Sequence, residues 1–190
     1  MRSKGFAKDV SMSGRTFDIK RESRWRRFFG SKGGNAIIEF ALIAPPFIAL
    51  LFAILETALV FLAQQFLQTA TTQTARLILT GQAQVQNMSA AQFQQAVCAN
   101  GAALFTCANV YVNVQKFNSF SSMSMLNPVN NGTFTPASMK FSMGNPGDIM
   151  LVQVFYQWPV YLAPLGFDLS NLKGNMRLLI GTAVFRNEPY

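Results

Sequence analysis

Histidine is absent from this 190-residue chain, and cysteine occurs only twice. Without histidine there is no Ser-His-Asp triad and no imidazole metal ligand. Two cysteines cannot supply the four ligands of a structural zinc. Charge is scarce too: charged residues make up 13% of the chain, where a soluble domain carries about 25%. Half of the residues are apolar, which argues against a disordered chain and favours membrane association. Beyond residue 80 the carboxylates are Asp148, Asp168 and Glu188, at spacings that suggest no catalytic pair. These absences argue against an enzyme, and the sequence implies no cofactor and no metal.

What charge there is lies at one end. Residues 1–34 hold ten Lys and Arg against three acidic residues, a net of +7 out of the chain's +8. The remaining 156 residues hold six basic and five acidic residues. A surplus confined to one leader is not the basic face of a nucleic-acid-binding domain, so no nucleic-acid partner is expected. The block Arg24 to Phe29 mixes cations with aromatic rings. It suits either an anionic lipid surface or a solvated tail.

From Phe40 to Ala63, 20 of 24 residues are apolar, broken by Pro45, Pro46, Glu56 and Thr57. As a helix this run would measure about 36 Å, against a hydrocarbon core of about 30 Å. Tilt, or a bend at the prolines, absorbs the excess. The run is too long for the apolar core of a secretory signal, and no small-x-small site follows it. Lys and Arg stay on the cytoplasmic side, so the leader should be cytosolic and Gln64 onward outside. Beyond the span, Ala63, Phe66, Leu67, Ala70, Thr74, Leu77 and Ile78 recur at helical spacing. Gln64, Gln65, Gln68, Thr72, Gln73 and Arg76 fill the other face. One long helix over 35–80 is expected, stopped by Gly81.

The remainder, 81–190, reads as an extracytoplasmic domain. Ser89 and Gln92 form a capping box before a short helix to Asn100. Val110, Val112 and Val114 alternate with polar residues as in a strand. Asn118 to Gly147 reads as an irregular loop. Ile149 to Trp158 and Met176 to Arg186 are two further strands, with pairing order left open. In the first, Met150, Val152, Val154, Tyr156 and Trp158 share a face; in the second, Leu178, Ile180 and Val184 do. The expected fold is α+β, a long helix packed on a small antiparallel sheet.

Three residue sets carry candidate chemistry. Cys98 and Cys107, outside the membrane, are expected to form a disulfide. Glu56 sits in the apolar run, where a charge is costly. It is either a functional group or an interfacial side chain that reaches water. Glu39 begins the apolar helix behind Gly33-Gly34-Asn35-Ala36-Ile37-Ile38 and is followed by Phe40. As an isolated feature, it could simply anchor the helix start, where a carboxylate suits the dipole.

That arrangement resembles the prepilins of the tight-adherence class of type IV pilus, in which a membrane peptidase cuts after the glycine. Glu39-Phe40-Ala41-Leu42-Ile43-Ala44-Pro45, Ile54-Leu55-Glu56 and Thr74-Ala75-Arg76 are similar to the TadE-like pseudopilins, as is the ending Phe185 to Tyr190. The resemblance implies cleavage between Gly34 and Asn35, with Glu39 and Phe40 serving processing and assembly. It implies a pilin-like fold in the bacterial inner membrane, its distal domain periplasmic, or incorporated in the pilus. The implied partners are the prepilin peptidase, other pilins and pseudopilins, pilus assembly proteins and inner-membrane lipids. TadG-like proteins share such a span without being processed, so an uncleaved single-pass envelope protein with an outer interaction domain is the alternative.

Overall fold

The period-two runs of the distal half pair into a three-stranded antiparallel sheet. In the computed structural model, which describes residues 35–101, 104–163 and 166–189, these strands are Val110–Phe117 (β1), Ile149–Pro159 (β4) and Met176–Arg186 (β5). The leader, with Gly34, lies outside the described residues. Phe47–Tyr190 forms one compact unit, and residues 35–46 fall outside it. β4 is central, with Val112 opposite Val154 on one side and Val154 opposite Gly181 on the other. That pairing settles the order that the sequence leaves open.

The helices are α1 (Asn35–Leu79), a single turn α2 (Gln82–Val85) and α3 (Ala90–Gly101). α1 stays helical through Pro45 and Pro46. Gly81 follows it with φ of 75°, a left-handed conformation that glycine adopts without strain. The capping box forms: Ser89 N–H donates to Gln92 Oε1 at 2.8 Å, and Gln92 N–H donates to Ser89 Oγ at 3.3 Å.

Pleating sorts the side chains onto two faces. Met150, Val152, Val154 and Tyr156 of β4 join Val110 and Val114 of β1 in a core with Leu67, Ala70 and Ile78 of α1 and Phe93 and Val97 of α3. On the opposite face Phe155, Leu172 and Leu178 pack with Tyr111, Val129 and Phe134. The last strand, β5, carries apolar side chains on both of its faces. Leu178, Ile180 and Val184 do share a side, but Leu179, Ala183 and Phe185 join the α1 core.

The stretch Asn118–Gly147 is mostly irregular, as its composition suggests, yet it contains a small hairpin. Its strands are Val129–Asn130 (β2) and Thr133–Phe134 (β3), turning at Asn131 and Gly132, both with positive φ. Two buried amides fasten this stretch to the sheet. Asn113 Nδ2 donates to Gln153 Oε1 at 3.1 Å, and the same oxygen accepts Leu126 N–H at 3.1 Å. Lys140 N–H donates to Asn113 Oδ1 at 2.9 Å. Together these bonds satisfy two side-chain amides that burial removes from water.

Candidate functional site

The candidate site is α1 itself, because its environment changes along its length. One 18-residue window of the helix has a mean hydropathy of 2.4 and no buried residue. The helix is thus long and apolar enough to cross a membrane. From Ala53 onward one face is buried: Ala53, Glu56, Val60, Ala63, Leu67, Ala70, Thr74 and Ile78 recur every three or four residues. The remaining faces of this stretch stay apolar for two more turns, with Leu59, Phe61 and Leu62 exposed. Phe66, expected on the packed face, is exposed as well. The buried stripe centres on Ala63, Leu67 and Ala70, and Phe66 falls beside it.

Small residues let the helix approach the sheet closely. A Cβ on Gly181 of β5 would overlap the Thr71 hydroxyl and lie 3.0 Å from the Leu67 carbonyl. Thr71 turns its hydroxyl into the helix, donating to Leu67 O at 2.7 Å. Glycine is the side chain that this contact admits.

β5 is an edge strand, and two glutamines of α1 take the place of a neighbouring strand. Gln64 Nε2 donates to Ile180 O at 2.8 Å, and its Oε1 accepts Ile180 N–H at 3.4 Å. Gln68 Nε2 donates to Thr182 O at 2.8 Å, and its Oε1 accepts Thr182 N–H at 3.0 Å. Each side-chain amide thus pairs with the backbone as another peptide group would. Asn171 Oδ1 does the same for Leu178 N–H at 2.7 Å. One turn on from Gln68, Thr72 spends its hydroxyl on Gln68 O. There a cavity of about 230 Å³ opens between Thr72, Arg76 and Val184.

Glu56 has no reach to water here: it is 7% exposed. Its carboxylate accepts the N–H groups of Tyr161 and Leu162, the latter at 3.2 Å to each oxygen. Of the two alternatives that the sequence leaves open for Glu56, this burial does not fit the interfacial side chain that reaches water. The chain following β4 folds over the carboxylate and presents two amide donors to it. Glu39 and Phe40 lie on α1 and are exposed. Asn35 opens the helix, while its partner in the proposed scissile bond, Gly34, lies outside the described residues.

The disulfide between Cys98 and Cys107 is present and ties the end of α3 to the 3-10 turn that leads into β1, with Cα atoms 5.6 Å apart. At the opposite end of the sheet from Tyr161, Asp148 accepts Asn145 N–H at 2.7 Å and Lys116 Nζ at 3.2 Å. The Asn145 amide, and then Lys116, hold its carboxyl below the usual carboxylate range.

Sequence reasoning missed the strand-capping role of Gln64 and Gln68. The available signal was two amides four residues apart on the border of the apolar stripe, combined with a glycine inside the last strand.

With this geometry in place, comparison with known families yields one finding. The model of the TadE-like protein family matches residues 34–76, the stretch that runs from the glycine before α1 to Arg76. A match there points to a component related to the tight-adherence pilus. No curated protein and no solved structure matches the chain.

Proposed function

We propose that the chain is a minor pseudopilin of a tight-adherence pilus, a structural and assembly component cut by the prepilin peptidase after Gly34, and not an enzyme. One observation carries the reading. The spacing from Gly34 to Glu39 and Phe40 opens an apolar helix that becomes, from Ala53 on, the packed spine of a folded unit. The TadE-like match covers this same stretch.

In the inner membrane, lipid covers the exposed apolar side chains of α1; in a filament, neighbouring helices do. The leader would remain cytosolic and the sheet unit periplasmic, because the charge asymmetry sets that orientation. Cleavage would remove the +7 leader and free an α-amino group at Asn35. That amine can pair with Glu39 of an adjacent subunit, and an unpaired carboxylate in an apolar environment penalises a wrong register. The partners on this reading are the peptidase, other pilins and pseudopilins, the pilus assembly proteins and the membrane lipids.

Mass spectrometry of the N-terminus, on protein from cells with an active prepilin peptidase, tests the proposal. The expected mature chain begins at Asn35. A chain that retains its leader overturns processing and supports the uncleaved TadG-like alternative. Gly34→Val should block cleavage, whereas Glu39→Ala should leave cleavage intact and reduce piliation.

A further inference from the structure

Directly after β4, Tyr161 and Leu162 lie level with the part of α1 that is apolar on its free sides. Glu56 receives the amides of Tyr161 and Leu162, which places them beside one helical turn. The surrounding α1 positions Leu55, Leu59 and Phe61 are exposed, Phe61 by 69%. These are side chains that a span would give to lipid. Tyr161 is itself 75% exposed, and Phe167 is exposed nearby in sequence. From Pro159 to Phe167 the chain carries no charged residue. A tyrosine with an apolar ring and a polar tip suits the boundary between hydrocarbon and water.

We propose that Tyr161, Leu162 and Phe167 form a second membrane contact, seated in the outer lipid interface beside α1. The proposal rests on the reading of α1 as a membrane span. The occupant is lipid because Tyr161 and Leu162, fixed at the level of Glu56, continue the exposed apolar surface of α1. Glu56 then does two things at once. Its carboxylate is removed from lipid, and the amides that shield it hold the aromatic contact at interface depth. The sheet unit would stand against the bilayer at two points, with less freedom to swing about α1.

Tryptophan fluorescence with brominated lipids reads this directly. The full chain, with Trp25 and Trp158 replaced by Phe, is reconstituted in phosphatidylethanolamine–phosphatidylglycerol vesicles carrying bromine at shallow or deep acyl positions. Tyr161→Trp, Phe167→Trp, Leu51→Trp and Phe120→Trp each supply a single reporter. Phe120 borders the other end of β4, which is 11 residues long, or roughly 35 Å. Tyr161→Trp and Phe167→Trp should emit to the blue and lose emission most strongly to shallow bromine. Leu51→Trp should lose emission to deep bromine, and Phe120→Trp should keep its emission. If Leu51→Trp is quenched while both loop reporters behave like Phe120→Trp, the lipid contact is overturned and the span survives. Loop emission that follows protein density and ignores bromine also overturns it, in favour of a contact between copies. If Leu51→Trp is unquenched, the span falls, and the lipid contact with it.

Discussion

Gly181 shows how a single missing side chain fixes the way a helix meets a strand. A methyl group there has no room between Thr71 and the Leu67 carbonyl, so Gly181→Ala should destabilise the fold by about 1–3 kcal/mol through overpacking. Thermal or denaturant melts of the detergent-solubilised chain would measure the loss; an unchanged midpoint would refute the close contact. Glu56 is the opposite case, a costly group retained because its partners are supplied. Glu56→Leu leaves the Tyr161 and Leu162 amides without their acceptor, a cost of about 1–3 kcal/mol for an unsatisfied buried donor. Hydrogen exchange at those two amides should accelerate, and protection equal to wild type would refute the role. Asp148 gives a pH signature. Its carboxyl titrates lower in the folded chain than when unfolded, so its contribution is complete above the unfolded value of about 3.9 and is lost as pH falls through the folded one. The difference in melting temperature between wild type and Asp148→Asn should therefore be full at neutral pH and shrink below about pH 4.

Among the elements, α1 and β5 are joined by packing and also by a substitute strand. Replacing Gln64 and Gln68 together by Leu keeps helix propensity and removes both reciprocal pairs. Amide exchange at Ile180 and Thr182 should rise, and the bared edge should promote association between copies. A monomeric variant with unchanged exchange would show that the glutamines are ornaments of the packing. The disulfide acts on a second junction, between α3 and β1. The separation of 9 residues between Cys98 and Cys107 corresponds, in the chain-entropy account, to about 2.5–3 kcal/mol of stabilisation. The Cys98→Ser, Cys107→Ser double variant should lose about that much in a denaturant melt.

At the scale of the whole molecule, a charged leader, an apolar helix and a sparsely charged sheet unit follow one another in sequence. The elements were largely legible because their signals are local. The capping box at Ser89 and Gln92 formed as read, and the last strand has the expected bounds, Met176–Arg186. The face assignment of that strand was not legible. A run such as Leu178-Leu179-Ile180 is apolar on both sides, so alternation cannot say which side meets the helix. At the site, the spacing from Gly34 to Phe40 was visible in the sequence, and the TadE-like match begins there. The site was opaque at Glu56, whose partners lie more than a hundred residues along the chain.

The sequence by itself determined the long apolar helix, its amphipathic continuation, the disulfide pair and the α+β class. Each follows from periodicity, from composition or from a pair of residues that has no other partner to choose. Only the tertiary structure decided the strand order, the glutamine cover on β5, the need for glycine at position 181 and the burial of Glu56. These rest on long-range proximity. The energy of a hydrogen bond or of a close contact depends on what stands opposite, and a linear pattern does not carry that information.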